Sequence, residues 1–211
     1  MSSRQAAVHI IKTWLQEDLF PDRQLDEVRS HRAFTREVVL GVVRQFRALE
    51  WVRSQLAPRE PAPLDHACLL AGLYELFFMN EVQDYGVVND LVDIVKPGGK
   101  KKAGFMNAVL RRALREKETL TKKLAAQPLA VRLSHPDLLV DRWTKNFGEE
   151  TTQALCMINN TPAKTVLSLR TSQISMADFM EHLNKLGMKA TPHPYLPSRC
   201  LVLGRGILVQ D

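Results

Sequence analysis

The stretch from residue 64 to residue 79 places the strongest constraint on how this chain can fold, because almost all of its helical faces are apolar. A helix that is apolar all round is stable in water only where other elements of the protein cover it. The stretch is shorter than the run of about 20 apolar residues that spans a bilayer. We therefore predict a buried central helix here, with the surrounding sequence folded against it.

The sequence on both sides of this stretch supplies helices that can cover it. Apolar residues recur at helical spacing, which predicts helices at 3–17, 31–56 with a break near 44–47, 85–95 and 101–118. Turn-forming residues separate them at Phe20-Pro21-Asp22, at Pro58, Pro61 and Pro63, and at Pro97-Gly98-Gly99. No long strand-like alternation comes before residue 160. The N-terminal region is therefore predicted to be an all-α bundle.

Two further helices are predicted after Pro128. Ser134-His135-Pro136-Asp137 has the spacing of a capping box with an early proline, so a helix begins there, and Gly148 ends it. The next helix occupies residues 149–159 and ends before Asn160-Thr161-Pro162. This pair of helices is predicted to link the bundle to the rest of the chain.

The last part of the sequence changes from helical to strand-like patterning. Residues 165–170 alternate as a strand does, Ser175 caps a helix that Gly187 closes, and 189–195 and 199–203 have the pattern of two more strands. This β-α-β-β order opens a ferredoxin-like or RRM-like unit, and an apolar run at Ile207, Leu208 and Val209 follows it. The predicted fold class is mainly α, with a helical domain, a helical linker and a small α+β unit at residues 1–127, 128–163 and 164–211.

Basic residues are concentrated in one segment of the chain. From Lys96 to Lys123 there are ten basic residues and only two acidic ones, while the whole chain carries a net charge of +6. In a helix at 101–118, the apolar residues fall on one face and the arginines fall opposite. Arginine forks and lysine point charges both suit phosphate oxygens. We predict RNA contact here by Lys100, Lys101, Lys102, Arg111, Arg112 and Arg115, with a merely solvated helix face as the alternative.

A second series of arginines runs through the helix predicted at 31–56, and we include it in the RNA-binding prediction: Arg32, Arg36, Arg44 and Arg47. Glu37 and Glu50 could simply pair with some of these side chains, and such surface ion pairs are common and weak. Few aromatic residues are interleaved with the basic ones, so shape and phosphate readout is favoured over base stacking.

No set of residues has the pattern of a catalytic or metal centre. Cys68, Cys156 and Cys200 are far apart and lack metal-ligand spacing, which indicates a reducing compartment without disulfides. The six histidines form no zinc-binding motif. No signal region begins the chain, and no segment approaches about 18 apolar residues in a row. We expect a cytoplasmic protein with no catalytic residues, cofactor site, metal or membrane partner in this chain.

Several strings of the sequence resemble one known family and occur in its order. They are REVVLGVVR at 36–44, AGLYELFF at 71–78, VVNDLV at 87–92, GFMNAVLRR at 104–112, LSHPDLLVDRW at 133–143 and INNTP at 158–162. The first four resemble the NusB-like domain that opens the RsmB (Sun/Fmu) family of 16S rRNA cytosine-C5 methyltransferases. The last two distinguish that family from free-standing NusB factors, which end after the helical bundle.

The resemblance implies a NusB-like bundle, a small RRM-like unit and then a Rossmann-type domain that binds S-adenosylmethionine. In the family, one cysteine of that last domain attacks C6 of cytosine to activate C5, and a second aids product release. The three cysteines of this chain do not match those positions. The resemblance therefore implies ribosomal RNA and the missing methyltransferase domain as partners, with the cofactor and the activity belonging to a longer parent or lost.

Two other functions stay open on the sequence. One is a transcription antitermination module of NusB type, which binds RNA and a ribosomal protein; the sequence after residue 128 argues against it. The other is a helical scaffold whose basic side chains only keep it in solution.

Overall fold

The computed structural model describes residues 2–17, 20–79, 83–170 and 172–204. The chain divides into two compact units, Met1–Asn160 and Thr161–Asp211. Among the described residues, no helix combines the length and the apolar character needed to cross a membrane. The sequence analysis also predicts a boundary after residue 127, between the helical domain and the helical linker, and this boundary stays a prediction.

All regular secondary structure in the described residues of the first unit is helical. Its helices are α1 (Ser3–Glu17), α2 (Pro21–Glu27), α3 (Arg32–Arg44), α4 (Phe46–Leu56), α5 (Pro63–Phe78), α6 (Asp84–Val95), α7 (Lys100–Arg115), α8 (Lys117–Ala125), α9 (Leu129–Arg132), α10 (Asp137–Phe147) and α11 (Glu149–Asn159). A short 3-10 turn, Lys96–Gly98, joins α6 to α7. The predicted mainly-α class and the predicted helices at 3–17 and 149–159 are confirmed.

Helix α5 is the centre of the bundle, as its all-round apolar pattern predicts. It packs against α1, α3, α4, α6 and α7. Leu69, Leu70, Leu73 and Leu76 are fully or almost fully buried, and each such burial contributes about 1.5–3 kcal/mol relative to an exposed side chain. The neighbouring helices approach it closely: a Cβ atom at Gly41 of α3 would lie 1.9 Å from Cζ of Tyr74. Only glycine fits at that crossing without a shift of the ring.

The charged side chain of Glu75 is buried inside this apolar centre. The side chain of Glu75 on α5 has no exposed surface, and Arg4 on α1 reaches it with Nε 3.0 Å from Oε1 and Nη2 2.8 Å from Oε2. Arg4 also pairs with Asp90 on α6, whose carboxylate is half exposed. Burial raises the pKa of Glu75 above its ordinary value, against the opposing effect of the Arg4 hydrogen bonds. The guanidinium of Arg4 therefore links α1 to α5 and α6 through its ion pairs with Glu75 and Asp90.

Apart from shifts of one residue, the helices up to α8 differ from the sequence prediction in two places. Phe20-Pro21-Asp22 not only follows α1 but also begins α2, because a proline at the first helical position costs no hydrogen bond. The helix predicted to run from 101 to 118 ends at Arg115, and α8 begins at Lys117. The change of direction lets Leu120 and Leu124 of α8 join the core of the bundle.

The predicted capping box at Ser134 is wrong. Pro136 precedes α10 without a side-chain cap, and the Ser134 hydroxyl instead accepts the backbone N–H of Arg47, with Oγ 2.8 Å from N. That amide belongs to the first turn of α4, where Gln45 supplies no cap of its own. Ser134 adopts a left-handed φ of 58° there. A serine far along the chain therefore caps α4, and local spacing alone could not have indicated it.

Replacing Ser134 with Ala should lower the free energy of unfolding by about 1 kcal/mol, the usual loss for a missing N-cap. The Arg47 N–H would then be left without its acceptor. Urea denaturation followed by circular dichroism measures the change. Asn, whose side-chain oxygen can also cap and which tolerates the left-handed φ of this position, is the matched control and should retain most of the stability; equal losses in both variants would contradict the capping role.

The second unit is a small α+β structure. Strands β1 (Val166–Ser168), β2 (Ala190–Pro192) and β3 (Cys200–Leu203) form an antiparallel sheet in the order β1-β3-β2, and α12 (Met176–Lys185) follows β1. Ser175 caps α12 by accepting the Asp178 N–H at 3.1 Å, as predicted. Leu183 of the helix and Leu201 of the sheet share one apolar core. The predicted β-α-β-β order is confirmed, and the run Ile207, Leu208 and Val209 lies outside the described residues.

Candidate nucleic-acid interface

Helix α7 carries the densest group of basic side chains. Gly99, with φ of 103°, precedes it, a conformation that side chains rarely allow, so the helix can start immediately after the 3-10 turn. Met106, Val109, Leu110 and Ala113 are buried against the bundle. The apolar side of α7 is therefore fixed in the core, and its opposite side is presented to solvent.

Four predicted residues occupy that exposed side: Lys100, Lys101, Arg111 and Arg115. We call them the basic face. Lys100, Arg111 and Arg115 fall within about 60° of one another around the helix axis, and Lys100 and Arg111 are separated by about 16 Å along it. No ion pair within 4.0 Å joins any of the four to an acidic side chain among the described residues. The basic face can therefore meet an anionic partner without first losing an internal one.

The surface between the two ends of the basic face is shallow. Gly104 and Ala108 are exposed there, and a Cβ atom at Gly104 would meet nothing within 4 Å. A chain of phosphates could approach the helix backbone at this point without a clash. Helix α7 has arginines on one side and apolar residues on the other, as the sequence predicts.

Two other predicted residues of α7 are occupied by contacts within the protein. Lys102 Nζ lies 3.7 Å from Oδ2 of Asp65, a carboxylate that is mostly buried. Arg112 binds both oxygens of Glu116, at 2.7 and 3.2 Å, and Nη1 lies 3.4 Å from the carbonyl oxygen of Leu56. These two side chains stabilise the bundle and are weaker candidates for RNA contact.

The second predicted series is engaged in ion pairs within the bundle. Each member has an acidic neighbour: Arg32 with Asp26 at 2.9 Å, Arg36 with Asp22 at 3.7 Å, Arg44 with Glu37 at 3.7 Å and Arg47 with Asp137 at 2.8 Å. Arg47 also donates to the carbonyl oxygen of His135. The break at Gln45 places Arg47 on a different helix from the other three. Through its ion pair with Asp137, Arg47 links α4 to the start of α10.

Candidate nucleophiles are inert where the structure describes them. Burial, with the nearby Asp65 carboxylate, raises the pKa of Cys68 to about 12. Burial likewise raises the pKa of Cys156. All three cysteines are buried and unpaired, and within the described ranges no three His, Cys, Asp or Glu side chains form a metal-binding group. Cys68 belongs to the apolar core of the bundle.

The structure adds an aromatic residue that the sequence analysis missed. Tyr85, in the first turn of α6, lines a pocket of about 380 Å³ together with Val88 of α6 and Arg111, Leu114 and Arg115 of α7. The antiparallel packing of α6 on α7 brings Tyr85 to the two arginines. Because Tyr85 lies outside the basic segment, no local pattern associates it with Arg111.

Two family descriptions match the sequence. The NusB family matches residues 1–115. A description that reads "Methyltr RsmF/B-like, ferredoxin-like domain" matches residues 135–210. These matches confirm the resemblance inferred from the sequence strings.

Curated relatives are similar over most of this chain. A probable ribosomal RNA small subunit methyltransferase B from Synechocystis is 30% identical over 87% of this chain and 45% of its own length. The ribosomal RNA small subunit methyltransferase B of Pseudomonas putida is 32% identical over 82% of this chain and 40% of its own length. The chain therefore spans less than half the length of these relatives.

Two solved structures share the fold at low sequence identity. A chain from the crystal structure of a plectonemic RNA supercoil aligns with a TM-score of 0.51 and 19% identity, over 56% of this chain and 94% of its own. The crystal structure of PH0851 aligns with a TM-score of 0.61 and 12% identity, over 97% of this chain and 49% of its own. At these identities the likeness concerns the fold alone.

Proposed function

The chain belongs to the NusB family, and we propose that it binds ribosomal RNA as the N-terminal part of an S-adenosylmethionine-dependent 16S rRNA cytosine-C5 methyltransferase. Two features support the proposal: the names of its relatives, and a ferredoxin-like domain of the RsmF/B-like type after the bundle. Because this chain spans less than half of those relatives, we assign RNA binding to it and methyl transfer to the longer protein. The three unpaired thiols support a cytoplasmic location.

The basic face of α7 is the observation that carries this proposal. Its four cations are exposed and lack acidic partners in the described part of the chain, whereas the other basic candidates are paired internally. Neutralising phosphates with such side chains releases counterions, which makes binding depend steeply on salt. We therefore place RNA contact first at Lys100, Lys101, Arg111 and Arg115, and second at Lys102, Arg112, Arg32, Arg36, Arg44 and Arg47.

Replacing the four residues of the basic face with Gln should weaken RNA binding and flatten its salt dependence. For a single strand, each lost phosphate contact flattens the log–log salt slope by about 0.7 units. Over a rise from about 50 to 200 mM salt, four contacts to a single strand account for about a 50-fold loss of affinity, which the variant should not show. Filter binding with single-stranded fragments of 16S rRNA at several salt concentrations measures both quantities.

A matched control removes the same charge elsewhere. Lys122, Lys123, Arg142 and Lys145 are exposed basic residues on α8 and α10, and their replacement with Gln should leave the salt slope almost unchanged. Equal flattening in both variants would show general electrostatic attraction and contradict a localised interface. No change in either variant would favour a scaffold whose basic residues only confer solubility.

S-adenosylmethionine is proposed as the cofactor of the longer protein and not of this chain. The described pocket at α6 and α7 is lined by two arginines and one carboxylate, that of Asp84, so its net positive charge suits an anionic partner better than a cofactor with a positively charged sulfur. Isothermal titration of this chain with S-adenosylmethionine should therefore give no binding at micromolar concentrations, and binding in that range would contradict the assignment. We propose the methyltransferase domain of the longer protein as a further partner.

An antitermination module is the second candidate, because the NusB family match covers the bundle from α1 to α7. Such a module would take a ribosomal protein as its main partner. The ferredoxin-like match at 135–210 favours the methyltransferase reading. Capture from a cell lysate, with and without ribonuclease, separates the two: a ribosomal protein retained after ribonuclease treatment would favour the antitermination module.

A further inference from the structure

The pocket between α6 and α7 combines an aromatic ring with two guanidinium groups. Tyr85 is 76% exposed at its rim, while Val88 and Leu114 supply apolar surface. Arg111 and Arg115 line the same pocket and also belong to the basic face. The volume of about 380 Å³ lies in the range of about 300–1,000 Å³ that small organic ligands occupy.

Nothing in the bundle requires an aromatic residue at position 85. Tyr85 precedes the buried residues of α6, which begin at Val87, and it is not part of the apolar core of the bundle. The buried tyrosine of the same unit behaves differently: Tyr74 donates its hydroxyl to Glu37 at 2.6 Å and stacks on Phe78. An exposed ring without such contacts is free to meet a planar ligand.

The arginines at the pocket keep their charge available. Arg111 donates from Nε to the amide oxygen of Asn107 at 2.8 Å, which orients the guanidinium and leaves its terminal nitrogens without an acceptor among the described residues. Arg115 makes no ion pair within 4.0 Å among the residues that the structure describes, although its charge helps to lower the pKa of Glu116. Asp84 also lines the pocket, with Arg111 and Arg115. Two cations against one carboxylate leave a net positive charge beside an exposed ring, which complements a nucleotide with its planar base and anionic phosphate.

We propose that this pocket holds one nucleobase of a single-stranded RNA, stacked on Tyr85, while Arg111 and Arg115 bind its flanking phosphates. The proposal rests on the proposed RNA binding and adds base contact to it, where the sequence favoured phosphate contact alone. A base lodged here fixes the strand on α7 at one point, because the backbone cannot slide along the basic face without unstacking it.

Two oligomers of equal charge test the proposal. One is a fluorescent oligoadenylate of about twelve nucleotides, and the other is an abasic ribose-phosphate chain of the same length. Fluorescence anisotropy should show that Tyr85→Ala weakens binding to oligoadenylate by about 5- to 150-fold, the range of one lost base–aromatic stack. Binding to the abasic chain should not change, and the salt slope should keep its wild-type value because no charge is lost. Tyr85→Phe, which keeps the ring, should bind both oligomers as the wild type does.

Each outcome bears on either this proposal or the broader one. If the wild type binds neither oligomer in a salt-dependent way, the proposed RNA binding itself is wrong. If it binds both with a steep salt slope but Tyr85→Ala binds oligoadenylate unchanged, only the nucleobase pocket is overturned. The pocket is also overturned if Tyr85→Ala weakens both oligomers equally, or if Tyr85→Phe loses as much as Tyr85→Ala. Since Tyr85 is exposed, thermal melting of the variants should match the wild type and exclude misfolding.

Discussion

Replacing Arg4 with Met should lower the free energy of unfolding by about 3–5 kcal/mol at pH 7, the usual cost of removing one partner of a buried ion pair. Glu75 would then remain inside the bundle with no guanidinium to balance its charge. Asp90, the other acidic residue that Arg4 contacts, also carries a negative charge and would repel Glu75. Urea denaturation of the chain, monitored by helical circular dichroism, measures the loss.

The loss should depend on pH in a defined direction. The pKa of Glu75 is already raised by burial above its ordinary value of 4.5, and removing Arg4 removes the hydrogen bonds and the charge that oppose this rise. A raised pKa in the folded state favours the protonated carboxyl. The destabilisation should therefore be smallest below about pH 4.5 and should grow as pH rises through the pKa of the folded variant. If the loss of unfolding free energy does not change between about pH 4 and about pH 8, the assignment is contradicted.

A double variant supplies the control for this prediction. Arg4→Met combined with Glu75→Leu removes both charges and fills the space with apolar groups, a change that is often neutral or stabilising for buried pairs. Its stability should exceed that of Arg4→Met alone. Asp90→Asn should cost little, because its carboxylate is half exposed.

Replacing Gly41 with Ala should destabilise the bundle by about 1–3 kcal/mol, even though alanine is the better helix former. The new methyl group would lie 1.9 Å from Cζ of Tyr74 and 2.3 Å from its hydroxyl oxygen. To relieve the clash the ring must move, and its hydrogen bond to Glu37 and its stacking on Phe78 would be lost. Chemical denaturation gives the free energy, and near-ultraviolet circular dichroism reports the displaced tyrosine.

Gly104→Ala is the matched control, because the same change meets no atom within 4 Å there. It should raise stability by about 0.5–1 kcal/mol, the ordinary gain of alanine over glycine inside a helix. In a Tyr74→Leu background the penalty at position 41 should shrink, since the ring that causes it is absent. If Gly41→Ala is as stabilising as Gly104→Ala, the close crossing of α3 and α5 is incorrect.

Those helices with long apolar periodicity could be predicted from the sequence. The bounds of α1 agree with the prediction residue for residue, and α5 begins one residue earlier and ends one residue earlier than predicted. In both, the residues that face the core are set by spacing along the chain itself. Helix α2 was missed because its seven residues are too few to show a period.

The sequence predicted the charge of the candidate site and the side of α7 on which it lies, but not which of its cations have acidic partners. Sequence alone could not separate Lys101, which is exposed, from Lys102, because the carboxylate that engages Lys102 is Asp65 on another helix. The same holds for Arg47, whose partners at His135 and Asp137 lie on a later part of the chain. For Lys102 and Arg47 the partners are distant in sequence, and a single sequence carries no local signal for them.

The cap that Ser134 provides for α4 joins two segments that are 87 residues apart in the chain. A backbone N–H held in this way exchanges its hydrogen with deuterated solvent only when its acceptor departs. The amide of Arg47 is thus a local reporter: its exchange rate records how often the turn before α10 detaches from α4, independently of any global unfolding.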